Sequence, residues 1–131
     1  MPSSGFNFDA SGNLYGETLY DGSGPNYCLP GYGLAYALSP GGGWYENVFY
    51  DFGEGAVSEY PDGGFVMDPG GNFYGVGSPP GTGGDVFELI NSGTGWIGNL
   101  IHTFSGSVGP VGPLARDADG NLYARSKSFV L

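Results

Sequence analysis

Residues 9–18 read "DASGNLYGET", and nearly the same string returns as "DPGGNFYGVG" at 68–77 and "DADGNLYARS" at 117–126. A chain that writes D-x-x-G-N-(L/F)-Y three times repeats a structural unit. Two readings of the motif compete. As a turn, every residue has a local reason. Asp9, Asp68 and Asp117 accept backbone N–H bonds. Gly12, Gly71 and Gly120 take positive φ, and Asn13, Asn72 and Asn121 tolerate the left-handed region. The Leu or Phe that follows enters a core, and the Tyr packs on the other face. As a calcium loop, Asp117, Asp119 and Asn121 offer oxygens at alternating positions. However, Asp119 is replaced by Ser11 and Gly70 in the other copies, and the twelfth loop position is not acidic. The turn is the leading reading.

The spacing sets the architecture. Asp9 to Asp68 is 59 residues and Asp68 to Asp117 is 49. Periods near 50 residues with strand patterning point to propellers or β-arrays. The first unit reads as strands "GFNFD", "NLYGET", "GLAYAL" and "WYENVFYDF". The second reads as "GGFVMD", "NFYGVG", "DVFELI" and "IGNLIHTF". In "WYENVFYDF", Tyr45, Asn47, Phe49 and Asp51 are expected to oppose Glu46, Val48, Tyr50 and Phe52. Hairpin turns are expected at "SPGGG" (39–43) and "NSGTG" (91–95). The third unit offers "PLARD", "NLYARS" and "KSFVL". Four antiparallel strands per unit is the composition of a β-propeller blade. The expected fold is all-β. A single repeat domain over 1–131 divides into blade one (3–60), blade two (61–112) and a partial blade three (113–131).

Composition agrees with short strands and tight turns. Gly is 28 and Pro 10, and aromatic residues are 16%, a share that disordered chains lack. The net charge is −10, and the only cations, Arg116, Arg125 and Lys127, lie in the last 16 residues. Binding to a phosphate backbone needs Lys and Arg, so nucleic acid is excluded as a partner. No apolar run is long enough to span a membrane as a helix. The start "MPSSGFNF" has neither a basic nor an apolar leader segment, so no signal peptide is visible.

Gly12-Asn13-Leu14-Tyr15-Gly16, Gly71-Asn72-Phe73-Tyr74-Gly75 and Val86-Phe87-Glu88-Leu89 resemble the Gloeo/Verruco (GloVer) tandem repeat. The stretch 53–68, "GEGAVSEYPDGGFVMD", resembles that repeat's linker between blades. The resemblance covers nearly the whole chain. It implies a β-propeller fold and an extracellular setting, and it brings no catalytic residues. Two and a half to three blades are too few for a closed ring, which takes at least four. Open blades expose strand edges and apolar faces. The expected partner is therefore the chain itself, in a cyclic homo-oligomer.

In such a fold the loops 17–33, 51–63, 76–85 and 105–113 share one rim. They carry Glu17, Asp21, Tyr27, Cys28, Asp51, Glu54, Glu59, Asp62 and Asp85. An acidic, aromatic rim suits a glycan or another small neutral ligand, or calcium or another divalent cation as cofactor. His102, the one histidine, falls in an outer strand away from this rim, so no Ser-His-Asp set is available. Cys28 has no cation near it in sequence to activate its thiol. Trp44 and Trp96 start fourth strands and are expected to pack between blades. The expected function is a non-catalytic, self-assembling binding or scaffold module. The alternative is a divalent-metal-dependent hydrolase of esters, lactones or phosphate esters that uses rim carboxylates.

Overall fold

The computed structural model describes residues 5–22, 31–53, 57–106 and 109–126. These form antiparallel sheets, with no helix among the described residues. The first sheet lays β1 (Asn7–Phe8), β2 (Leu14–Thr18), β3 (Leu34–Pro40) and β4 (Trp44–Asp51) side by side. The second repeats the order with β5 (Val66–Met67), β6 (Phe73–Gly77), β7 (Asp85–Asn91) and β8 (Trp96–Thr103). β9 (Pro110–Arg116) and β10 (Leu122–Ser126) pair in a third. Strands adjacent in sequence are adjacent in space, as short connections favour. "KSFVL" lies outside the described residues.

The first two sheets agree register for register. Phe8 faces Leu14 as Met67 faces Phe73, and Thr18 faces Leu34 as Gly77 faces Asp85. Both carry a bulge at the same place, between Ala35 and Tyr36 and between Val86 and Phe87. The bulge corrects the expected alternation of β4. One extra residue, Phe49, enters the strand, so Phe49 and Tyr50 both reach the same core. Other boundaries also differ from expectation. β1 and β5 pair over only two residues each. β9 starts at Pro110, ahead of "PLARD", because a bulge beyond Tyr123 lets Arg125 and Ser126 pair with Val111 and Pro110.

The sheets stack through aromatic side chains. Phe52, Phe65, Phe73, Phe87, Leu89 and Ala35 are fully enclosed, with Tyr15, Phe49 and Trp96 packed against them. Tyr15 meets Phe73 at 5.0 Å between ring centres, Phe52 meets Phe87 at 5.1 Å and Phe49 meets Trp96 at 4.5 Å. Trp44, at the place in the first sheet that Trp96 holds in the second, is instead 59% exposed. Val76 and Val86 of the second sheet meet Leu114 of the third.

The three motif turns are built alike. Gly12, Gly71 and Gly120 have φ of +80°, +83° and +87°. Each donates its N–H to the carbonyl of the turn's first Asp, at 3.1 Å. The Asp carboxylate fastens the rest. Asp9 Oδ1 accepts the N–H groups of Ser11 and Asn13, and its Oδ2 accepts the Asn13 amide and the Tyr15 hydroxyl. Asp117 accepts the same four bonds from Asp119, Asn121 and Tyr123. In the second turn Asn72 and Tyr74 bind Asp68 in the same way. The phenol's role goes beyond the packing expected of it. Its hydroxyl anchors it to the turn, and in the first two units its ring leans toward the next sheet.

A paired substitution distinguishes the two sheet junctions. At the first, the Gly64 N–H donates to Glu17 Oε1 at 2.8 Å, and Glu17 is 2% exposed. The equivalent positions at the second are Val76 and Pro113. Proline has no N–H to satisfy, and valine offers no acceptor.

Phe73→Ala should cost about 3–5 kcal/mol by transfer plus cavity terms. Gly71→Ala meets no atom within 4 Å, so it should cost only the left-handed strain of about 1–2 kcal/mol. Denaturant titration of both variants measures these costs.

Candidate functional site

Among the described residues, the rim carboxylates do not gather into a group of three or more that could hold a metal. Glu17 and Asp85 are enclosed and do not face solvent, at 2% and 4% exposure. Glu17 is held by Gly64, and Asp85 Oδ2 accepts the Ser58 hydroxyl at 3.1 Å. Each fastens a segment after the first sheet to its neighbour, and their burial follows from sheet stacking, which sequence spacing does not reveal. Asp21 and Asp51 flank Gly22, where Asp21 Oδ1 accepts the Gly22 N–H and Asp51 Oδ1 accepts the Gly53 N–H. Glu59 is half-buried, and its carbonyl accepts the Ser78 N–H at 2.8 Å. Asp62 is exposed. Tyr27, Cys28 and Glu54 lie outside the described residues. His102 is exposed, with its ring edge-on to Phe104 at 4.6 Å.

The structure assembles one feature that the sequence reading missed. Tyr20, Tyr32 and Tyr60 meet where the first sheet joins the second. Tyr60 is 5.7 Å from Tyr20 and 5.5 Å from Tyr32, ring centre to ring centre. A cleft of about 400 Å³ is lined by Leu19, Tyr20, Tyr60, Asp62 and Ser78. It combines aromatic faces with a carboxylate and a hydroxyl. Desolvation, then the neighbouring Tyr32, Glu59 and Tyr20, raises the Tyr60 hydroxyl above the ordinary tyrosine value.

Tyr60 also has an unusual backbone. Its φ is +51°, the one positive value at a non-glycine among the described residues. Its N–H donates to the Tyr32 carbonyl at 2.7 Å, and Pro61 behind it bridges to Gly77. A residue before proline is also disfavoured in the right-handed region. The repeat shows that the fold does not need tyrosines here. The positions equivalent to Tyr20, Tyr32 and Tyr60 at the next junction are Pro79, Gly83 and Gly109. Gly109 approaches the Gly83 carbonyl so closely that a side chain there would collide with it. A signal was available in sequence: three tyrosines fall where the second unit has proline and glycine.

The calcium candidates sit at the third turn. The Asp117 carboxylate accepts four hydrogen bonds at 2.8–3.1 Å, and a cation at its oxygens would compete with them. The Asp119 N–H and the Asn121 N–H and amide are among these donors. No group of three or more His, Cys, Asp or Glu side chains is placed to hold a metal among the described residues.

The same bonds perturb the turn carboxylates. The Asn13 amide first, and the Asn121 amide likewise, hold Asp9 and Asp117 below the ordinary carboxylate range. At Asp68, burial opposes the shift, but bonds from Asn72 and Tyr74 outweigh it and the value is lowered. Tyr74 moves the other way. Burial, with the adjoining Glu88 and Asp68 carboxylates, pushes its hydroxyl up to about 12. The Tyr74 phenol oxygen there lies 3.0 Å from Glu88 Oε1 and 3.1 Å from Asp68 Oδ2, and its one proton serves both carboxylates.

The signs give a pH window. A lowered carboxylate stabilises the fold above its unfolded value and loses that contribution as pH falls through the folded one. The raised Tyr74 contributes fully below the ordinary tyrosine value of about 10 and loses that contribution as pH climbs toward about 12. Melting temperature should therefore fall below about pH 4 and above about pH 10. Tyr74→Phe should flatten the alkaline limb, and an unchanged limb would remove Tyr74 from the account.

No family model matches this chain, no curated protein is similar to it in sequence at a significant level, and no solved structure matches it.

Proposed function

We propose that the chain is a non-catalytic binding or scaffold module of β-propeller type. In this reading each four-strand sheet is a blade, copies of the chain associate, and the ligand is a glycan held in the tyrosine cleft. The observation that carries the reading is the placement of Tyr20, Tyr32 and Tyr60 where the equivalent junction has proline and glycine. Tyr60 holds a left-handed backbone that costs an L-residue about 1–2 kcal/mol, and such strain clusters at ligand sites. Tyrosine rings offer an apolar face to the C–H surface of a sugar and a polar edge to its hydroxyls. Asp62 and Ser78 supply acceptor and donor beside them. Support for the propeller reading comes from the repeated register, the shared bulge and the resemblance to the GloVer repeat. That resemblance also implies an extracellular setting, where glycans are met.

A glycan array probed with the wild-type chain should return bound sugars. Tyr60→Gly should lose that binding by at least tenfold. Its stability should change little, because relief of about 1–2 kcal/mol of strain offsets ring contacts of about 0.5–1.5 kcal/mol each. Wild-type protein that retains no glycan, or a Tyr60→Gly variant that binds equally well, would overturn the reading.

A further inference from the structure

The outer face of the first sheet, open at Phe6 and Trp44 and closed at Tyr36, repeats position for position a face that is buried in the second. A Cβ at Gly75 would meet Phe87 and Phe65, and a Cβ at Gly16 would meet Tyr36 and Phe6 in the same arrangement. Phe65, Phe73 and Phe87 are enclosed under the first sheet. Their equivalents Phe6, Leu14 and Tyr36 form the opposite side of that sheet, where Phe6 is 50% and Trp44 59% exposed.

The third sheet presents the complementary half. Tyr15 is held by Asp9 and lies on Phe73 of the next sheet at 5.0 Å. Tyr74 is held by Asp68 and joins the cluster that contains Leu122 of the next sheet. Tyr123 is held by Asp117 in the same pose, at 2.9 Å, yet it is 57% exposed. Its repeat-equivalent target, after Phe73 and Leu122, is Leu14.

Charge points to the same pairing. Glu46 lies on the first sheet's outer face, at the place where Gly98 in the second sheet lies against Tyr50. The described cations, Arg116 and Arg125, are both in the third sheet. Asp117 and Asp119 balance these arginines among the described residues of the third sheet, and a chain of net charge −10 repels its own copies least when its neutral end meets an acidic one.

Deepening the association proposed above and resting on it, we propose that a second copy of the chain docks head to tail: its third sheet covers the first sheet of this one, with its Tyr123 on Leu14. The contact is heterologous, so successive copies close a ring or extend a filament according to the rotation per junction.

Light scattering and sedimentation of the purified chain test this. The wild type should exceed the 13.5 kDa chain mass in a concentration-dependent way. Leu14→Asp and Tyr123→Ala should each weaken association at least tenfold while keeping a β-sheet circular dichroism spectrum. Phe6→Asp, at an already exposed position, replaces Leu14→Asp if that variant fails to fold. Mixing a head variant with the tail variant should leave one intact junction, giving a species of twice the chain mass and none larger. A wild type that stays monomeric at every concentration overturns both the association and this docking. Association that survives Tyr123→Ala but not Leu14→Asp or Phe6→Asp would be face to face, overturning the head-to-tail docking alone. So would association that survives all of these changes.

Discussion

Much of the structure depends on one carboxylate per repeat. Asp9, Asp68 and Asp117 each close a tight turn and, through one oxygen, fix a tyrosine six residues on. A bond to an ionised acceptor is stronger than a neutral one. It spans the hairpin's turn and its second strand, so turn geometry and ring position are set together. In the first two units the ring then packs toward the next sheet. Local chemistry in a five-residue turn thereby becomes the spacing between sheets, and the aromatic core forms around rings that are already aimed.

That arrangement explains how a chain so rich in glycine holds its shape. Glycine at a left-handed position avoids the backbone strain that any other residue would carry there. The glycines at 16 and 75 serve differently: they leave room for the ring tips of Tyr36 and Phe87, which a Cβ there would meet. Small residues in the inner strands thus make space for large ones, which supply most of the buried surface.

The sequence made the sheets legible because period-2 patterning and turn residues are local signals. The turns at 9–13, 68–72 and 117–121 could be read from Asp, Gly and Asn alone. The tyrosine hydroxyl's bond was less visible, although a phenol at the same place in all three units, where phenylalanine would pack as well, was the clue. The bulge at Phe49 was hidden, since it depends on pairing with Ala35 and Tyr36 across the sheet. The enclosure of Glu17 and Asp85 was hidden for a similar reason. Their partners Gly64 and Ser58 are 47 and 27 residues away, and nothing near either carboxylate announces its burial. The tyrosine cleft joins three separate segments, so only the fold brings Tyr20, Tyr32 and Tyr60 together.

The Glu17–Gly64 bond and its Val76–Pro113 counterpart make the units non-interchangeable. If Val76 faced Gly64, a buried N–H would lose its acceptor, at a cost of about 1–3 kcal/mol. If Glu17 faced Pro113, a carboxylate would be enclosed without the donor it now uses. A chimera that exchanges the repeats must therefore move both members of each pair together. The same chemistry penalises a misfolded chain whose sheets stack out of turn. The order of the units is thus written into the junctions themselves, and a duplication that drifted at one position of a pair would be stable again only after a change at the other.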